Sequence, residues 1–184
     1  MAIENNNEKK ALLIVDVQNG VIASSYNTDQ VIENIRTLIA KARTSKAPII
    51  WVQHCSDDLQ EHTNKWQIDP RLEQSKDDFY IQKRYNSSFE KTELDDLFKR
   101  LEVKKIVLVG AATNWCIRAT AYATLERGYD LCLISDAHTT ESLEYADGVV
   151  IEAKDIILEL NTAIKWLEYP DRNNETQTAV QFEF

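Results

Sequence analysis

The feature that most constrains this chain is a repeated alternation. Continuous apolar runs recur along it: "ALLIV" from Ala11, "IIWV" from Ile49, "KKIVLVG" from Lys104 and "DLCLIS" from Asp130. Segments with helical spacing stand between them. A run that is apolar at successive positions suits a strand covered on both faces. Such strands, separated by helices, assemble into a parallel sheet, because a parallel neighbour is reached only through a crossover. The expectation is an α/β fold in three layers: a mainly parallel sheet, helices on both faces and right-handed crossovers.

The spacing predicts each helix in turn. Val31, Ile35, Leu38, Ile39 and Ala42 share one face, with Asn27 or Thr28 as cap and Pro48 as terminator. Leu94, Leu97, Phe98 and Leu101 form the next, capped by Thr92. A third covers Trp115 to Arg127, with Gly128 in the place of a C′ glycine. A last helix is expected over roughly Ala146 to Leu167. "FYIQKRYNSSF" holds a short strand, and the polar stretch from Cys55 to Asp78 reads as a surface excursion anchored by Trp66 and Ile68. "PDRNNETQT" reads as a turn or linker, and "AVQFEF" as an edge strand or a subunit-crossing arm. One domain is expected over residues 1–184, with a polar lead at 1–10 and a tail or edge strand at 170–184.

Charge narrows the partners. A net charge of −9 disfavours nucleic-acid phosphate and anionic membrane surfaces. It leaves small molecules open, since one local cation can outweigh the global sign. No apolar run approaches a membrane span, and the polar N-terminus does not resemble a signal peptide. Three scattered cysteines, an odd number, fit reduced thiols in the cytoplasm.

In open parallel sheets, ligands bind beyond the carboxyl ends of the strands. Three reactive residues fall there: Asp16 closes the first strand, Lys83 follows "FYIQ", and Cys116 begins a helix after Gly110. A helix N-terminus and a nearby lysine each lower a thiol pKa. A carboxylate in reach takes the thiol proton and returns it to a leaving amine. Each residue also has an ordinary structural reading: a turn-capping carboxylate, a solvated lysine, a buried inert thiol. Cys132, inside an apolar strand, and Cys55 are expected to be of that inert kind.

"LLIVDVQNG", "KRYNSSF" and "VGAATNWCIRATA" resemble, in order, the signature blocks of the isochorismatase-like cysteine hydrolases, which include nicotinamidases and N-carbamoylsarcosine amidases. The resemblance covers about residues 10 to 170 and implies a Rossmann-like fold. It implies Asp16 as general base, Lys83 as stabiliser of thiolate and oxyanion, and Cys116 as nucleophile. It also implies a cis peptide at Ala111–Ala112, with the Ala112 and Cys116 N–H groups as oxyanion hole. Asn114 departs from the Asp usual in nicotinamidases, and the positions of His54 and His62 do not match their metal motif, so no metal is expected. The implied reaction is C–N hydrolysis of a small amide or ureido substrate through a thioester, with no organic cofactor. Ether hydrolysis of the isochorismatase type, metal-assisted nicotinamidase chemistry and a non-catalytic binding protein are the alternatives. Gln18, Tyr26, Trp66, Tyr85, Trp115 and His138 are candidate pocket walls. A homo-oligomer is expected from the resemblance and the tail.

Overall fold

A computed structural model describes residues 9–184, so most of the expected polar lead lies outside the described residues. The four apolar runs form β1 (Lys10–Val15), β2 (Ile49–His54), β4 (Lys105–Ala111) and β5 (Asp130–Thr139). β3 is Phe79–Lys83. A short turn of helix, α1 (Asn19–Ile22), precedes α2 (Thr28–Ser45), and α3 (Leu94–Leu101), α4 (Arg118–Glu126) and α5 (Ala153–Trp166) follow in order. The sheet has six strands, ordered β3-β2-β1-β4-β5-β8, where β8 is Asn174–Gln177. All its pairings are parallel.

Side chains alternate between the two faces with period two. Ala11, Leu13 and Val15 pack with Leu94, Phe98, Leu160 and Ile164 on one face. Leu12 and Ile14 pack with Ile35, Leu38 and Ala42 on the other. Burying each large aliphatic or aromatic side chain fully stabilises the fold by about 1.5–3 kcal/mol, which is why the apolar runs are continuous. Among the described residues, no helix is long and apolar enough to cross a membrane.

The chain runs outward from β1 to β3 and then returns to the other side of β1 as β4. The strand order therefore reverses between β1 and β4, which places a crevice at their carboxyl ends. Gly110 makes the close approach possible. Its φ is +122°, and a Cβ there would stand 2.0 Å from the Val15 carbonyl oxygen. Only glycine fits, and the backbone below Asp16 meets the backbone leading to Cys116.

Two sequence expectations need correction. The last helix starts at Ala153, not Ala146, because Leu143–Glu144 (β6) and Val150–Ile151 (β7) form an antiparallel hairpin turned at Gly148, whose φ is +80°. The edge strand is the polar "NETQ", not "AVQFEF", and it pairs by backbone with Leu131–Ile134 of β5. "AVQFEF" folds back onto its own chain. Ala179 and Phe182 are buried against the α2 face of the sheet, and the Lys41 ammonium donates to the Val180 and Phe182 carbonyls at 2.8 and 2.7 Å.

Candidate active site

Three strand ends and one turn build the site. Asp16 follows β1 directly, in the left-handed region with φ 51°, and is 1% exposed. Lys83 ends β3 and His54 ends β2, and the two are register partners across the parallel pair. Cys116 lies in a π-helical turn, Thr113–Ile117, that joins β4 to α4. The cis peptide implied at Ala111–Ala112 is present.

The structure brings Asp16, Lys83 and Cys116 together. The Lys83 ammonium sits 2.6 Å from Asp16 Oδ2 and 3.1 Å from Cys116 Sγ. It also donates to the Tyr85 carbonyl at 3.2 Å and faces His54 Nδ1 at 3.3 Å. Burial lowers the Lys83 pKa, but Asp16 and Cys116 together outweigh it, so the amine is held charged. Asp16 Oδ1 is buried with no hydrogen-bond partner among the described residues. A buried acceptor left in this way costs about 1–3 kcal/mol. Here the free oxygen belongs to a carboxylate that has an oxygen within 4.8 Å of Cys116 Sγ.

The thiol departs from expectation. Burial, then the Asp16 carboxylate, push Cys116 up to about 12, and Lys83 opposes them without prevailing. Cys116 lies inside the π turn that runs directly into α4. These surroundings favour the protonated thiol.

Asp16, His54 and Cys116 each offer a metal-ligating atom, all within 4.8 Å of one another. The Lys83 ammonium is bonded to all three residues. A metal ion there would compete with that ammonium for Asp16 Oδ2, His54 Nδ1 and Cys116 Sγ, while Asp16 Oδ1 stays unengaged by Lys83. His62 is exposed and meets the edge of Trp66 at 5.8 Å, apart from this cluster.

The candidate pocket walls divide. Tyr26, Tyr85 and Trp115 are about half exposed, at 49%, 47% and 54%. Trp66 is half-buried and caps Cys55, its indole N–H lying 3.2 Å from the sulfur. A cleft of about 280 Å³ runs beside Lys83 and is bordered by Tyr85, Arg84 and Glu61. Gln18 and His138 are placed differently from the expectation. Gln18 is fully buried and brackets the His54 backbone, accepting from its N–H at 2.8 Å and donating to its carbonyl at 3.1 Å. His138 is 1% exposed, with Nδ1 against the Thr113 hydroxyl and Nε2 against Asn161 Oδ1. Both are occupied by protein groups, so neither presents a free polar atom to a ligand. Asn114 accepts from Thr140, and Arg118 pairs with Glu159. Cys55 and Cys132 are buried. Sequence reasoning weighed His54 only against a metal motif, although the shared strand-end position of His54 and Lys83 was a usable signal for their meeting.

The chain is similar to known proteins in sequence and fold. The family profile described as "Isochorismatase domain" matches residues 10–163. A streptothricin hydrolase of Streptomyces noursei is 28% identical over 76% of this chain, and the match spans 58% of that relative's length. The isochorismatase family protein YrdC of Bacillus subtilis is 31% identical over 71% of this chain and 73% of its own. A crystal structure of an isochorismatase family protein superposes with a TM-score of 0.80 at 27% identity, covering 92% of this chain and 98% of that one. A cysteine hydrolase from Pseudomonas syringae, at 21% identity, shares the fold with a TM-score of 0.84 over 94% of this chain and 90% of its own. The strand order, the crevice beside Gly110 and the family match over most of its length place this chain in the isochorismatase-like family of cysteine hydrolases.

Proposed function

We propose that this hydrolase cleaves a C–N bond of a small amide or ureido substrate through a thioester on Cys116. The observation that carries the reading is the division of labour within Asp16. One oxygen holds the Lys83 ammonium at 2.6 Å, and the other is buried without a partner among the described residues. The unpartnered oxygen takes the Cys116 proton as the sulfur attacks the substrate carbonyl. The Lys83 N–H at 3.1 Å from Sγ stabilises the negative charge that develops there.

The Ala112 and Cys116 N–H groups hold the oxyanion of the tetrahedral intermediate. As that intermediate collapses, the C–N bond breaks and Asp16 returns its proton to the departing nitrogen. Water then attacks the thioester, Asp16 takes a proton from it, and the released sulfur recovers that proton as a thiol. The sum is one water consumed, with one acid and one amine or ammonia released. A relative named for hydrolysing streptothricin supports hydrolysis as the reaction class. The exposed rings of Tyr85 and Trp115 are suited to a flat substrate group.

A screen of small amides and ureides for ammonia or amine release tests this reading, with Cys116→Ala as control. The wild type should turn over at least one of them, with an acyl adduct on Cys116 seen by intact mass. Turnover surviving in Cys116→Ala would sink the thioester.

A further inference from the structure

An ammonium has three N–H donors and no lone pair. Lys83 nevertheless faces four acceptors: Asp16 Oδ2 at 2.6 Å, Cys116 Sγ at 3.1 Å, the Tyr85 carbonyl at 3.2 Å and His54 Nδ1 at 3.3 Å. The shortest contact joins opposite charges, and the Tyr85 carbonyl is a fixed backbone acceptor. One N–H is therefore shared between Cys116 and His54. A neutral thiol is a weak acceptor, and an imidazole nitrogen is a good one. Since Lys83 can only donate, Nδ1 of His54 must accept, and the ring carries its proton on Nε2.

We propose that His54 is a positioning residue for the sulfur chemistry: its Nδ1 holds the third Lys83 N–H while the sulfur is a thiol or thioester, and releases it to the sulfur when that becomes charged. Only a hydrogen bond changes partner. The thiol proton goes to Asp16, and Lys83 keeps its three protons throughout. The buried ammonium then has every N–H matched at each stage of the cycle.

Two further features fit this role. Gln18, fully buried, holds the His54 backbone from both sides, so the ring's root is fixed at the end of β2. Burial and then Lys83 lower the His54 pKa, with Arg84 adding to them and Asp16 opposing, so the ring stays neutral and able to accept. The charged and titratable groups facing it are thus Lys83, Asp16, Arg84 and Cys116.

The inference rests on Cys116 as nucleophile, and its test is separate. The rate of Cys116 alkylation by iodoacetamide is followed against pH by peptide mass spectrometry, since it reports the thiolate fraction. His54→Phe removes the acceptor and leaves the N–H to the sulfur alone. Its profile should move to lower pH, raising alkylation at a fixed pH about threefold, equivalent to about half a pKa unit. His54→Asn, whose Oδ1 can replace Nδ1, should return the profile to that of the wild type. His54→Leu repeats the test if the phenylalanine variant does not fold. A profile that is unmoved or displaced upward, or an asparagine variant that moves as far as phenylalanine, overturns the role of His54. Loss of turnover in Cys116→Ala together with an unmoved His54→Phe profile would leave the nucleophile standing and remove only His54.

Discussion

The π turn Thr113–Ile117 contributes to two buried polar clusters, and they behave oppositely. Through Thr113 it joins His138, Asn161 and the Ser135 carbonyl. Asn161 donates its amide N–H to Ser135, so its Oδ1 accepts from His138 Nε2, and His138 Nδ1 accepts from the Thr113 hydroxyl. That chain is neutral and fully paired, and burial pushes His138 down to about 4. Through Cys116 the same turn joins Asp16, Lys83 and His54. There one carboxylate oxygen has no partner among the described residues and one ammonium has more acceptors than protons. A closed network rigidifies the fold, whereas an open one retains capacity to move a proton. The contrast teaches that burial of a histidine or carboxylate is not in itself a sign of chemistry; the unfilled hydrogen-bonding capacity is.

The largest expected effect breaks the open cluster at its base. Asp16→Asn removes the proton acceptor and should lower turnover by about 10²–10⁴-fold, the usual range for a general base. Steady-state rates on the substrate found by screening would measure it, and a variant within tenfold of wild type would exclude Asp16 from that role. Next comes Lys83→Met, which leaves the Asp16 carboxylate buried without its cation. Breaking a buried pair in this way costs about 3–5 kcal/mol of stability. Urea unfolding at neutral pH would read it, and a loss below about 1 kcal/mol, the range of exposed pairs, would mean that the pair is solvated.

The smallest effect tests the closed cluster. His138 is held below its ordinary pKa, so its contribution is intact above about pH 6.5 and is lost as pH falls toward about 4, where the unfolded chain binds a proton that the native state refuses. Between about pH 7 and about pH 5 this group alone should remove about 2 kcal/mol. His138→Gln should lose that portion of the acid sensitivity while retaining turnover. An unchanged slope of stability against pH would show that His138 titrates normally, and the contrast between the clusters would fail.

Much of this was legible before any coordinates. Apolar runs such as "ALLIV" announce themselves because both faces of a central strand are covered, and helical spacing around Ile35 and Leu38 does the same for α2. The ends of β1, β3 and β4 follow from those runs, and with them the convergence of Asp16, Lys83 and Cys116. Less regular pieces were hidden. "NETQ" becomes a strand because β5 has an open edge whose backbone groups accept any sequence, and polar side chains give no sign of that. The hairpin at Gly148 depends on a turn conformation, which overrides the helical spacing around it.

The sequence by itself determined the class of fold, the four central strands and the three residues brought to the strand ends, because hydrophobic period and strand ends are local properties. Tertiary structure alone decided the chemical state of the site. The raised pKa of the thiol, the Asp16 oxygen without a partner among the described residues and the place of His54 beside Lys83 depend on burial and on distances between segments remote in the chain. The same dependence took Gln18 and His138 out of the expected pocket wall, since a side chain's partners are set by what the fold packs around it.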